Sequence, residues 1–189
     1  MNGTIGVSCR ILTKAERDRF DADISRMVLV ARVSSATVPA LTKGKEIEGF
    51  YVLQVALKRK DYDTKNILML QKLIPQKMVF AMQHEEQTQF CIFHTRLQKS
   101  DWMPTDEAAI PLQGLTLDDV WNNIVAIIGG LDAQAEETIE EQIIHREQQE
   151  KLLHQIESLE KQCRTEKQMR RKYELHQKLQ ELKLKIKQV

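Results

Sequence analysis

From about Ala133 to Val189 the chain has no glycine and no proline, and charge recurs on nearly every turn. Nothing in this run ends a helix. Leu152, Ile156, Leu159 and Cys163 recur at spacings of four, three and four, and Leu175, Leu179, Leu182, Ile186 and Val189 repeat the rhythm. This is the a/d pattern of a coiled coil. A helix with such a seam cannot bury it alone, so the pattern points to an interaction rather than to a reaction.

The two seams are out of phase. Cys163 and Leu175 are twelve residues apart, whereas a heptad seam returns after eleven or fourteen. The break holds Glu166, Lys167, Arg170 and Arg171. Such a discontinuity unwinds a coil locally or marks where the chain turns back. Residues 133–160 carry eight acids and two bases, and residues 161–189 carry ten bases and three acids. Opposite charge fits a hairpin within one chain and fits an antiparallel homodimer equally well. A tight hairpin normally wants Gly, Pro or Asn, and none is present. A straight helix would be about 85 Å long at 1.5 Å per residue.

Ahead of the coil, residues 1–130 read as a globular domain, with Gly129-Gly130 as its end and residues 131–189 as the coil or helical hairpin. Thr13 and Glu16 form a capping box for a helix running to about Met27. Met27–Val33, Ile47–Lys58, Lys77–His84 and Gln89–Leu97 read as strands. A helix capped by Asp63 or Thr64 separates the second strand from the third and stops near Pro75. Thr116 and Asp119 cap a further helix bearing Val120, Ile124, Val125 and Ile128. The expected class is α+β, with a small, largely antiparallel sheet of about four strands, flanking helices and a long C-terminal helical coiled-coil segment.

The charges nearly cancel, at a formal +1, so the whole chain has no strong bias toward nucleic acid or membrane. No apolar run reaches the roughly 18 residues of a membrane span. The start, with Arg10, Lys14, Arg17 and Arg19, lacks the apolar core of a signal peptide. Cys9, Cys91 and Cys163 match no metal or redox spacing. A cytoplasmic protein without cofactor or metal is expected. The histidines do not converge, and no nucleophile elbow or glycine-rich phosphate loop is present.

A magnesium nuclease needs an acid-x-Lys pair projecting from one strand, with another acid nearby. Lys58 ends the strongest strand, but Ala56 stands where that carboxylate belongs. Lys58, Arg59 and Lys60, together with Arg170, Arg171 and Lys172, are the candidate nucleic-acid contacts; Lys178, Lys183, Lys185 and Lys187 extend the second group. Against this stands a plain solvated helix face whose bases pair with Glu166, Glu174 and Glu181. Leu152, Ile156, Leu159, Leu175, Leu179, Leu182 and Ile186 form the candidate interaction seam, and Trp102 is expected to anchor its loop over the sheet.

The stretches Asp101-Trp102-Met103-Pro104 and Leu112-Gln113-Gly114-Leu115-Thr116-Leu117-Asp118-Asp119-Val120-Trp121 resemble the bacterial family called domain of unknown function 4391. Ile11-Leu12-Thr13-Lys14, the Ile74-Pro75 junction and the run from Glu166 to Leu175 are similar to it too. That resemblance implies no catalytic residue. It implies gene neighbourhoods shared with helicases and DNA methyltransferases in mobile or phage-defence loci. The expectation is a non-catalytic accessory protein acting with such a partner through its body and coil. A nucleic-acid-binding subunit and a divergent nuclease using Lys58 are the alternatives.

Overall fold

A computed structural model describes residues 12–74, 76–133 and 135–186. Cys9, Arg10, Ile11, Pro75, Lys187 and Val189, which enter the sequence reading, lie outside these residues. The chain forms two compact units, Met1–Ala135 and Glu136–Val189.

The first unit begins with α1 (Lys14–Asp23), whose Thr13–Glu16 capping box forms as its residues dictate. The helix ends four residues short of Met27, because β1 (Ile24–Ser34) pairs with β2 (Gly49–Leu57) from Ile24 onward. After α2 (Lys65–Leu73), β3 (Met78–His84) lies parallel to β2, and β4 (Gln87–Phe93) returns antiparallel through a turn in which Glu85 takes φ 51°. Both β5 (Leu97–Lys99) and β6 (Met103–Pro104) pair with β4.

The sheet thus has six strands rather than four, and its centre is parallel. The reason is the helix between β2 and β3: a strand that returns through a crossover helix re-enters parallel to the one it left. One face of the sheet packs Leu53, Val55, Phe80 and Met82 against Ile67 and Leu70 of α2, with Phe20 of α1 at the edge. Alternation sends Phe50 to the other face, where its ring meets Trp121 of α3 (Leu117–Gly129) at 5.5 Å. Gly130 ends α3 in the left-handed conformation at φ 60°. Asp118, at the start of α3, accepts the N–H groups of Lys45 at 2.6 Å and Ile47 at 2.9 Å, which pins the 42–47 loop. Gly44 is needed there, since a Cβ would stand 2.1 Å from Asp118 Oδ1.

The second unit holds α4 (Ile139–Thr165) and α5 (Met169–Lys185). The run is therefore not one rod. Its break lies at Glu166–Gln168, ahead of Arg170, and the chain turns back there: Lys183 Nζ meets Glu160 at 2.7 Å, although a straight helix would hold these residues about 35 Å apart. Ile156 and Leu179 are buried between the two helices' flanks, while Leu152, Leu159, Leu175, Leu182 and Ile186 are half-buried.

Candidate functional site

The residues that the sequence singles out lie in two places, the strand end and the hairpin, and a groove on the sheet is a further candidate place. The first is the carboxyl end of the parallel strand pair, where ligands of open α/β sheets commonly bind. Lys58, Arg59 and Lys60 leave β2 here, and each is tied down locally. Lys58 Nζ donates to the carbonyl of Asp21. Arg59 Nε donates to Asp23 Oδ1 at 2.6 Å. Lys60 Nζ donates to Gln87 Oε1 at 2.5 Å and stands 5.2 Å from the centre of the Trp102 ring.

Asp23 is the residue that sequence reasoning missed. Its side chain is fully buried at the helix-to-strand junction. Besides Arg59, it accepts from the backbone N–H of Asp63 at 2.8 Å and from Asn66 Nδ2 at 2.9 Å. A buried carboxylate must be compensated in this way. The fold does bring an acid to the strand end that carries Lys58, but both its oxygens are occupied in holding α1, β2 and α2 together. Among the described residues no three His, Cys, Asp or Glu side chains converge as metal ligands would.

Trp102 packs on the α2 side of the sheet, edge-on to Tyr62 at 6.4 Å. Tyr62 donates to Gln89 Oε1 at 2.7 Å and lies 3.2 Å from the Cys91 sulfur. Burial, with Cys91 beside it, raises the Tyr62 hydroxyl far above its ordinary pKa. Burial likewise pushes the Cys91 thiol up to about 11, which the Tyr62 bond only partly offsets. A thiol held protonated is a poor nucleophile and metal ligand. On the α3 side, His94 Nδ1 accepts from Trp121 Nε1 at 3.2 Å.

The second place is the half of the α3-side sheet face that α3 leaves open. A groove of about 340 Å³ lies there, floored by Val52, Gln54, Ala81, Gln83 and Phe90, with Ile110 on its wall. Periodicity assigns these residues to one face, but the loop bearing Thr105, Ala108 and Ile110 carries no signal that it walls a groove.

The third place is the hairpin. Its turn does without Gly, Pro or Asn because Glu166 is extended (φ −70°, ψ 127°) and folds its own side chain over the turn. Glu166 Oε1 accepts the N–H groups of Lys167 at 2.8 Å and Gln168 at 2.9 Å, with Arg171 3.5 Å away. The N–H bond from Gln168 is the largest influence on this carboxyl and holds its pKa below the usual range. Arg170, Arg171 and Lys172 fall in the first turn of α5, and Arg170 pairs with Glu174 at 3.5 Å. Lys183 likewise lowers Glu160 by hydrogen bond and charge. The acidic and basic halves thus meet within one chain.

The family model of domain of unknown function 4391 matches residues 9–186. The chain belongs to that family. The match runs through both units of the structure, so body and hairpin are family 4391 features together. No curated protein and no solved structure matches the chain. No helix among the described residues is long and apolar enough to cross a membrane.

Proposed function

We propose that this family 4391 chain is an accessory binding protein of a prokaryotic DNA-processing or phage-defence system, with the hairpin as its docking element for a helicase or DNA methyltransferase. One observation carries the reading. The hairpin buries Ile156 and Leu179 with its own two helices, yet Met169, Tyr173 and Leu184 stay 81%, 66% and 61% exposed. At 100° per residue these three fall within about 60° of one another, on the side of α5 opposite Leu175, Leu179, Leu182 and Ile186. A helix with an apolar stripe on each side has a use for the second one beyond its own folding. The buried, occupied carboxylate of Asp23 and the protonated thiol of Cys91 support binding over catalysis.

The test is co-purification of the full chain with a co-expressed neighbouring helicase or DNA methyltransferase. Substituting Met169, Tyr173 and Leu184 by glutamate leaves the buried seam intact and is expected to abolish the complex. Undiminished recovery by that variant would count against the docking role.

Direct nucleic-acid contact is the second reading, favoured by the exposed Arg170, Arg171 and Lys172 and by the Lys60–Trp102 pair. A cation beside an aromatic face suits a backbone phosphate beside a stacked base. This reading expects salt-dependent DNA affinity that falls when Arg170, Arg171 and Lys172 become glutamate.

A further inference from the structure

The parallel pair β2–β3 is the centre of the sheet, and parallel strands are ordinarily covered on both faces. Here α1 and α2 cover one face, while α3 reaches only part of the other and leaves the groove on Val52, Gln54, Ala81, Gln83 and Phe90. Two features decide what fits there.

The first is charge: among the described residues no Asp, Glu, Lys, Arg or His lines the groove, so its lining suits a neutral group better than a phosphate or a carboxylate. The second is the pair of amides. Gln54 Nε2 donates to Gln83 Oε1 across the parallel strands. Each amide has further capacity: with the pair bonded, an acceptor remains on Gln54 and a donor on Gln83, and reversing both amides exchanges the two without removing either. Neither Gln54 nor Gln83 makes another side-chain bond among the described residues. Both side chains are partly exposed, so water meets these free positions in the open groove, and a ligand presenting a matching donor and acceptor would take its place. Flanking them are the flat ring of Phe90, the small Ala81 and the aliphatic Val52 and Ile110.

We propose that this groove binds a single nucleobase, its hydrogen-bonding edge on the Gln54–Gln83 amide pair and its faces against Phe90 and the aliphatic wall. A nucleobase is neutral, flat and carries an adjacent donor and acceptor, which matches the uncharged lining, the amide pair and the flat ring of Phe90. About 340 Å³ is at the small end of ligand sites and suits a nucleoside rather than a dinucleotide cofactor. The base comes either from a free nucleoside or from a single strand with one residue unstacked. The inference does not depend on the docking role of the hairpin.

The test titrates the full chain with uridine, cytidine, adenosine and guanosine by saturation-transfer NMR, and with fluorescent single-stranded octanucleotides by anisotropy. Gln54→Met and Gln83→Met keep the length of each side chain and remove its amide; each is expected to weaken binding about tenfold, the effect of one lost hydrogen bond. Ala81→Leu fills the floor and is expected to abolish binding. Melting curves confirm that each variant folds. If uridine binds, 3-methyluridine, which lacks the N3 donor, is expected to bind about tenfold more weakly to unaltered protein. Nucleoside binding identifies a free ligand, and binding of octanucleotides alone, lost in the variants, identifies a strand. The proposal is overturned if no probe binds at about 1 mM or tighter, or if binding survives the glutamine and alanine substitutions.

Discussion

Removing the Asp23 carboxylate separates a structural clasp from a catalytic acid. In Asp23→Ala the backbone N–H of Asp63 and the side-chain amide of Asn66, itself 1% exposed, lose their acceptor. The buried Asn66 donor left unsatisfied costs about 1–3 kcal/mol, and the Asp63 N–H, only part-buried, adds less because water reaches it. Arg59 adds little, since its side chain is 58% exposed and water replaces the carboxylate. The reverse substitution, Arg59→Ala, leaves Asp23 with two of its three donors and is expected to cost about 1–2 kcal/mol. The two substitutions are also expected to be non-additive, because they share one interaction. Urea unfolding followed by the fluorescence of Trp102 and Trp121 measures both, with the midpoint compared at constant slope. A loss below about 1 kcal/mol for Asp23→Ala, or a larger loss for Arg59→Ala, would refute the clasp. Magnesium-dependent DNA cleavage abolished by Asp23→Asn at unchanged stability would assign the residue to chemistry instead.

Three further outcomes follow from the geometry. Cys91, buried and with its pKa raised to about 11, is expected to resist alkylation near pH 8 while the half-buried Cys163 reacts; peptide mass mapping reads both. At Asp118 burial acts upward, but the N–H groups of Lys45, Ile47 and Glu46 together outweigh it and hold the carboxyl below its ordinary range. Its stabilisation is therefore full above the unfolded aspartate pKa and disappears as pH falls through the lower folded value, so Asp118→Asn is expected to flatten the acid limb of a melting-temperature profile. Leu179→Ala removes the most buried side chain of α5 and is expected to cost the hairpin about 2–4 kcal/mol, read as lost helicity at 222 nm.

Local structure was legible where the chemistry is local. The Thr13–Glu16 and Thr116–Asp119 boxes and the Gly130 stop are written in a few adjacent residues, and all three form. Thr138 with Glu141, which caps α4, carries the same signature and could have been read. The short β5 and β6 could not, since three and two residues hold no period. The parallel centre and Asp23 were hidden for a common reason: both depend on what α2 packs against, and Asp23 meets Asn66 across 43 positions of sequence. The hairpin was half visible. Charge and phase exposed the break, but its turn rests on a glutamate side chain rather than on a turn-forming residue. The groove depends on the 105–110 loop coming over the sheet, which no pattern announces.

One chain satisfying its own seam leaves the outer stripe of α5 for a partner. Nitroxide labels at Glu157 and Lys185, both exposed, test this by dipolar electron resonance after Cys9→Ser, Cys91→Ala and Cys163→Ser substitution. A straight helix separates these positions by about 42 Å, whereas packed helices 8–10 Å apart hold the labels below about 25 Å. A hairpin within one chain gives the short distance, unchanged when labelled chain is diluted in unlabelled chain. A distance near 42 Å, or a short one that disappears on dilution, would contradict it.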